Sequence, residues 1–227
     1  NGYFTQLFYN PLLEAANEKA ALVRTFNDTV AKFIKFYGVK EWRKLETQKV
    51  NFFNTPLSKA ELIMMTGYLG TDSSRKRLAR WLGQDINDIT KELEKHVTAK
   101  DVENVQKFIN FYETVMIPKE VALDQRMGNV PKNQVPAVPF KFAGKEFNGG
   151  YLPLNTIMDD LARAQRQTTS EAERIRSGQV NVETMTHNTS SNTSELSRDE
   201  NSALPIDLSL TEVKHVFDLR AQDIAYR

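Results

Sequence analysis

The three histidines are the first residues to test for catalytic or metal-binding chemistry, because imidazole serves both purposes. They are His96, His187 and His215, and none of them belongs to an HExxH pattern. His215 and Asp218 are one helical turn apart, which provides only half of a metal site. A surface pair on a helix is the simpler interpretation. The sequence therefore predicts neither a metal nor a cofactor.

Carboxylate pairs and nucleophile motifs are the next candidates for catalysis. Asp159 and Asp160, together with Asp124, could act as acid and base, but such pairs are abundant by chance and solvated surface is the default. The chain contains no cysteine, and the GxGxxG, GxxxxGK[ST] and GxSxG signatures are absent. We therefore predict no catalytic residue and expect that this segment is not an enzyme.

A basic cluster is the best candidate for binding chemistry. Its members are Arg75, Lys76, Arg77 and Arg80, near the start of a predicted helix. These cations could neutralise a few phosphates of a nucleic acid, and each such contact would steepen the salt dependence of binding. The alternative, which we favour, is a solvated helix face that pairs with nearby aspartates. A second basic stretch, at 32–44, allows the same two interpretations.

The stretch Phe140–Leu154, FKFAGKEFNGGYLPL, is the only place where glycine, proline and aromatic residues alternate closely. Gly149 and Gly150 could let the backbone of a ligand approach. We favour a structural role, in which the glycines supply positive φ angles, Tyr151 anchors in the core and Pro153 ends an edge strand. We call these four residues the clasp and expect them to join two helical parts of the chain.

Apolar periodicity and capping signals predict that the chain is mainly α-helical. Asn10, followed by proline, starts a helix of roughly 40 Å that ends at Gly38. Further capping signals begin at Ser58, Thr98 and Ser209. The helix after Thr98 carries the clearest amphipathic stripe in the chain.

Two predicted features follow that amphipathic stripe. Pro118 kinks or restarts the helix, which runs on to about Met127. A small hairpin is expected where three phenylalanines flank Ala143-Gly144-Lys145. Residues 155–166 return to helical spacing.

The signals divide the chain into five parts. They are an N-terminal long helix with a connector (1–54), a helical bundle (55–127), a Pro/Gly-rich hairpin and clasp (128–166), a flexible polar linker (167–203) and a C-terminal helix (204–227). The linker is poor in large apolar residues, so it is either disordered or wraps a partner. The predicted fold is mainly α: an irregular helical bundle with a small β-hairpin and a long polar loop.

Composition sets further bounds on function. The 227 residues are 40% hydrophobic and 26% charged, as in ordinary globular chains. A net charge of +1 creates no global field toward nucleic acid or an anionic membrane. Without cysteine the chain suits a reducing compartment or a passage between compartments, and no apolar run has the length of a transmembrane segment. The ends, Asn1 and Arg227, lead us to expect a fragment of a longer polypeptide.

Several of these motifs, taken in order, resemble one family. They are PLSKAEL at 56–62, SRKRLAR at 74–80, GKEFNGGYLPL at 144–154 and LPIDLSLTEVKHVFDLRAQDIAYR at 204–227. The region from about Thr55 to Arg227 is similar to the large polyvalent proteins of bacteriophages and integrative elements, and to phage internal virion (ejection) proteins. The long polar tract at 168–201 departs from the family pattern.

The resemblance implies a virion protein that leaves the capsid with the DNA and helps build a conduit across the host envelope. It implies that other virion proteins and further copies of the chain are partners, with DNA in the conduit. The expected location is the virion, and after ejection the host envelope or periplasm. The alternatives are a nucleic-acid-binding accessory module of a large phage protein, or part of a peptidoglycan-degrading or polymerase-bearing virion enzyme.

Overall fold

The structure is a computed structural model that describes residues 3, 5–126, 128, 135–153, 155–156 and 205–226. Within these residues the fold is mainly α-helical with small antiparallel hairpins, so the predicted fold class is confirmed. The polar linker at 167–203 lies outside the described residues, as do His187, Asp159 and Asp160. The helix predicted for 155–166 is wrong at its start, because residues 155–156 form a short strand, and the rest of it lies outside the described residues.

The described elements have the following bounds. The helices are α1 (Asn10–Tyr37), α2 (Val39–Thr47), α3 (Lys59–Met65), α4 (Asp72–Leu82), α5 (Ile86–Leu93), α6 (Ala99–Phe111), α7 (Ile117–Arg126) and α8 (Leu210–Tyr226). Short π-helical turns span Thr5–Tyr9 and Tyr112–Met116, and a 3₁₀ turn spans Thr66–Gly70. Antiparallel pairs are formed by β1 (Lys49–Phe52) with β2 (Thr55–Ser58), β3 (Phe140–Phe142) with β4 (Lys145–Phe147), and β5 (Asn155–Thr156) with β6 (Ile206–Asp207).

The first helix ends as predicted but begins earlier. Gly38 closes α1 with a φ of 84°. Asn10 does not cap it, because the preceding turn is already helical and runs directly into α1. The β1–β2 hairpin and α2 lie in the part predicted as a connector. The hairpin turns at Phe53 and Asn54, both with positive φ, without the Asn-Gly pair that usually signals such a turn.

Pro118 lies within a continuous helical segment that changes its winding. A proline ring in a regular α-helix clashes with the carbonyl four residues earlier, here that of Thr114. The π-helical turn Tyr112–Met116 widens the helix just before the proline, and the Ile117 N–H bonds to the carbonyl of Tyr112. The predicted interruption is therefore a change from α to π geometry.

The core is built from aromatic side chains of α1, α6 and α8. Phe26 stacks on Phe217 with ring centroids 4.0 Å apart and an angle of 9° between the planes. The ring centroid of Phe108, in α6, lies 6.1 Å from that of Phe26. Lys19 donates a 3.2 Å hydrogen bond to Gln222. Because Phe26, further along α1, meets Phe217, which is earlier in α8, the two helices run antiparallel. The last helix is thus part of the core.

Candidate functional site

The clasp lies against the 3₁₀ turn that precedes α4. The carbonyl of Gly70 accepts hydrogen bonds from the N–H groups of Gly150 at 2.9 Å and Val138 at 2.8 Å. The side-chain amide of Gln106 donates to the carbonyl of Gly149 at 2.8 Å. Hydrogen bonds from α6 and from the 3₁₀ turn therefore hold the clasp in place.

The glycines are required because backbones touch at this point. A Cβ atom on Gly70 would lie 2.7 Å from the Gly150 nitrogen, well inside the 3.5–4.0 Å of a normal non-bonded contact. Gly150 has a φ of +118°, and a Cβ there would collide with the carboxylate of Glu113 and with Ile109. Any side chain at either position would separate the clasp from the bundle.

The remaining clasp residues enter the core. The ring of Tyr151 is buried, with its centroid 5.6 Å from that of Tyr112. The Tyr68 hydroxyl donates to the carbonyl of Pro153 at 3.2 Å. Leu152 is buried against Gly67, where an added Cβ would lie 2.7 Å from its Cδ2 atom. These groups already have partners within the protein. The geometry therefore favours a structural role for the clasp over a role as a ligand-binding loop.

A buried ion pair joins α8 to α7 beside the clasp. Arg220 is only 6% exposed, and its Nη1 donates to Glu120 at 2.7 Å and also to the Tyr112 hydroxyl. Burial opposes the charge of Arg220, but Tyr112 and Glu120 outweigh this cost and raise the pKa of the guanidinium. Sequence reasoning missed this pair because its members are 100 residues apart and share no local spacing.

Glu113 faces the clasp from the same π-helical turn. Burial raises the pKa of Glu113, and the hydrogen bond from the Tyr151 backbone N–H offsets part of that rise. Turns of this kind often mark functional sites. Here the turn brings Glu113 and Tyr112 against the clasp, and Arg220 of α8 donates to the hydroxyl of the same Tyr112. Tyr112, Glu113 and Arg220 therefore connect the clasp, the bundle and the last helix.

Arg75, the first residue of the predicted basic cluster, serves the fold. Its Nε donates to the carbonyl of Leu69 at 2.7 Å, and its Nη2 donates to Val138 and Pro139 at 3.2 Å each. Burial lowers the pKa of Arg75, an effect that Asp72 partly offsets. Arg75 thus ties α4 to the segment that leads into β3.

The other three cations of the cluster lie in different environments. Arg77 is buried, with 4% exposure, whereas Lys76 and Arg80 are exposed one turn apart. The structure therefore does not bring the four cations to one surface. Binding of nucleic acid by this cluster stays a prediction, and it would depend on Lys76 and Arg80.

A cleft of about 350 Å³ opens beside Arg75, between α5 and β3. Lys91 and Lys141 line it, together with the partly exposed ring of Phe140 and the carboxylate of Glu94. Cations next to an aromatic ring are typical of single-strand nucleic-acid binding. We call this feature the basic cleft. Its cations come from distant parts of the sequence, which is why spacing did not indicate it.

An apolar surface lies at the end of the bundle where the start of α1 meets the end of α8. It consists of three side chains that are 49–62% exposed: Leu7, Leu12 and Tyr226. We call it the terminal apolar surface. It contains a cleft of about 530 Å³ that is lined by Leu7, Leu12 and Tyr226. Contiguous exposed apolar side chains mark sites of protein or membrane interaction.

Among the described residues, which include His96 and His215, no group of three or more His, Asp or Glu side chains could hold a metal ion. No helix in the part of the chain that the structure describes is long and apolar enough to cross a bilayer.

Comparisons of this chain with protein-family models, with curated proteins and with solved structures found no match. The likeness to phage ejection proteins therefore depends on the sequence motifs alone.

Proposed function

We propose that this chain is a structural, protein-binding segment of a phage virion protein that is ejected into the host. There it helps form the conduit through which DNA crosses the cell envelope. Its partners are other virion or ejection proteins and further copies of itself, first in the virion and then in the host envelope or periplasm. The resemblance of the motifs at 56–62, 74–80, 144–154 and 204–227 supports this context.

The terminal apolar surface is the observation that carries the proposal. Burying one leucine side chain contributes about 1.5–3 kcal/mol, yet Leu7 and Leu12 remain 62% and 61% exposed. Among the residues that the structure describes, most other large apolar side chains are buried, including the stacked Phe26 and Phe217. A partner protein that covers this surface would recover the missing burial. Protein–protein contact is therefore the activity that the described geometry supports best.

Size-exclusion chromatography with light scattering tests the proposal. We expect the chain to oligomerise or to bind a second virion protein, and to show no activity in peptidoglycan zymograms or primer-extension assays. The combined variant Leu7→Gln, Leu12→Gln, Tyr226→Gln should lose the association. Leu219→Gln is the matched control, because Leu219 is 50% exposed on α8 but does not line the cleft. A strict monomer that ignores other virion proteins, or enzymatic turnover in either assay, would overturn the proposal.

A nucleic-acid-binding accessory module is the second candidate, and the basic cleft favours it. Single-stranded DNA would place its phosphates near Lys91 and Lys141 and a base against Phe140. The double variant Lys91→Ala, Lys141→Ala should then reduce the slope of log K against log salt by roughly 1–2. Lys76→Ala with Arg80→Ala tests the cluster predicted from the sequence. An unchanged slope in both double variants would exclude this function.

A further inference from the structure

Residues 205–226, which we call the C-terminal segment, dock on the rest of the protein as a separate element. Strand β6 adds to β5, and α8 is seated against α1, α6 and the π-helical turn Tyr112–Met116. Four side chains of α8 are no more than 2% exposed and repeat every three or four residues: Val213, Phe217, Ala221 and Ile224. This is the pattern of an amphipathic helix bound in a groove.

The C-terminal segment carries its own signal for helix formation. The hydroxyl of Ser209 accepts a 3.1 Å hydrogen bond from the N–H of Glu212, and the Ser209 N–H donates to the carboxylate of Asp207 at 2.9 Å. Groups within the segment therefore cap the start of α8. An isolated helix of this length is marginal in water, so the groove supplies the remaining stabilisation.

The groove needs α8, whereas the clasp does not. Without α8, Phe26 would lose the stacked ring of Phe217, and the carboxylate of Glu120, 16% exposed, would lose the guanidinium of Arg220. An uncovered apolar groove and an unpaired carboxylate are both unfavourable. Hydrogen bonds from α6 and to the 3₁₀ turn still hold the clasp in place. The groove is therefore a site that some copy of α8 must fill.

The covalent connection to α8 does not decide which copy fills the groove. β5 and β6 pair as neighbours, yet residues 157–205 lie between them in the chain. A chain of that length can extend over roughly 160 Å, far more than the distance between two paired strands. The effective concentration of a tethered α8 falls as the connection lengthens, from the millimolar range of short linkers. In an assembly of closely packed copies, neighbours supply α8 at a comparable concentration.

We propose that copies of this chain exchange α8, so that the C-terminal segment of one copy occupies the groove of another. The occupant follows from the structure itself, because α8 of any copy has the side chains that are seated in this groove. The inference rests on the proposed function as a self-associating segment, and it adds an interface to the terminal apolar surface. Exchange of an identical element is a low-cost route to dimers, because its contacts already exist within one copy.

Two charge reversals of the buried ion pair test the exchange. Arg220→Glu brings two carboxylates together and Glu120→Arg brings two guanidinium groups together, so neither variant can seat its own α8. In an equimolar mixture, Arg220 of one copy meets Glu120 of the other, and the two reversed side chains also form a pair. We expect each variant alone to give no dimer in light scattering. The mixture should give the mass of a dimer and a higher melting midpoint than either variant alone.

The doubly reversed chain, Arg220→Glu with Glu120→Arg, is the matched control. It carries both changes in one copy, so it can seat its own α8 and should be a monomer in dilute solution. A mixture of either single variant with the parent should gain neither mass nor melting midpoint, because the parent already pairs its own charges. If the doubly reversed chain folds while the mixture of single variants gains neither, the exchange is overturned.

A second measurement keeps the native ion pair and decides the question if the reversed chains fail to fold. The chain has no cysteine, so Lys19→Cys and Gln222→Cys place single thiols at two side chains that are 3.2 Å apart in the parent. The two variants are unfolded together in urea, refolded together at high concentration, diluted and treated with a short bis-maleimide cross-linker. We expect a cross-linked heterodimer, and its absence would overturn the exchange.

Lys214→Cys in place of Gln222→Cys is the control for this measurement. Lys214 is exposed and lies roughly 12 Å from Gln222 along α8, so most of the cross-linked product should be lost. Equal yields from the two pairs would show random collision and would also overturn the exchange.

The same measurements separate this inference from the proposed function. All thiol variants also carry Leu7→Gln, Leu12→Gln and Tyr226→Gln, so that contact through the terminal apolar surface cannot produce the cross-link. A parent that associates through that surface without exchanging α8 overturns the inference and leaves the proposed function in place. A chain that exchanges α8 but hydrolyses peptidoglycan overturns the proposed function and leaves the exchange.

Discussion

The clasp and the terminal apolar surface both bring together segments that are far apart in sequence, but they differ in what they leave exposed. At the clasp, the N–H group of Gly150 donates to the carbonyl of Gly70, and Tyr151 is 8% exposed. At the terminal apolar surface, Leu12 remains 61% exposed although neighbouring helices are packed. The polar and apolar groups of the clasp find partners inside the protein. The comparison indicates that the clasp serves folding and that the terminal apolar surface serves association.

The largest expected effect comes from breaking the clasp. Gly150→Val introduces a branched side chain where φ is +118° and where Glu113 and Ile109 leave no room. We expect a loss of roughly 3 kcal/mol or more in the free energy of unfolding, measured by urea denaturation. Gly83→Ala is the control, because Gly83 has a φ of +63° but no neighbour within 4 Å. It should cost about 1–2 kcal/mol. A Gly150→Val protein as stable as the parent would show that the clasp does not hold the fold.

The next effect concerns the ion pair beside the clasp. Arg220→Met leaves the carboxylate of Glu120, 16% exposed, without its guanidinium partner. We expect a loss of about 3 kcal/mol. Adding Glu120→Gln should restore part of it, because the uncompensated charge is then removed. Should the double variant show the plain sum of the two single losses in a denaturation cycle, the pair would not be coupled.

A smaller, pH-dependent effect is expected at the capping box of α3. Burial opposes ionisation of Glu61, but hydrogen bonds from Ser58 and Lys49 outweigh it and lower the pKa of Glu61 below 4.5. Because the folded pKa is the lower one, this stabilisation is present above pH 4.5 and is lost as the pH falls through the folded pKa. Glu61→Gln should cost about 0.5–1 kcal/mol at neutral pH and flatten the acid side of the stability profile.

The pKa of Glu113, at the clasp, is shifted in the opposite direction to that of Glu61. Burial raises the pKa of Glu113 in the folded protein. Its contribution to the free energy of unfolding is therefore present below the pKa of the unfolded chain, and it is lost as the pH rises through the pKa of the folded protein. Glu113→Gln should therefore keep or increase stability at neutral pH and remove the gain on acidification. If Glu61→Gln and Glu113→Gln changed the dependence of stability on pH in the same direction, the opposite pKa shifts of the two residues would be contradicted.

The smallest effect on stability is expected at the terminal apolar surface. Leu12→Gln should change the free energy of unfolding by less than about 0.5 kcal/mol, because the side chain is 61% exposed. Association measured by light scattering should nevertheless fall. If Leu12→Gln destabilised the chain as strongly as a buried substitution, the contrast between the two regions would be lost.

The helices were predictable because their signals are local. The capping boxes at Ser58 and Thr98 join groups three residues apart, and both are formed. Gly38 ends α1 as predicted. The β1–β2 hairpin was missed because its turn residues, Phe53 and Asn54, do not carry the usual glycine. The start of α1 was misplaced because a π-helical turn leaves no capping signal.

The candidate sites were less predictable than the helices. In the sequence, Arg75 and Arg77 look like surface cations. In the structure, a backbone carbonyl outside α4 accepts a hydrogen bond from Arg75, and Arg77 is buried. The charge of a side chain determines which groups it can bind. Its surroundings in the folded protein determine whether it is exposed to a ligand or to solvent. The terminal apolar surface exists only because α1 and α8 pack antiparallel.

The sequence determined many of the elements whose hydrogen bonds close within a few residues: the capped starts of α3 and α6, the end of α1 and the β3–β4 hairpin. It also indicated that Gly149 and Gly150 belong to a structural feature. Tertiary structure alone decided which backbone those glycines meet, that Arg220 and Glu120 pair across 100 residues, and which leucines remain exposed. The physical reason is that close contact and burial depend on the packing of distant segments, for which no local spacing in the chain provides a signal.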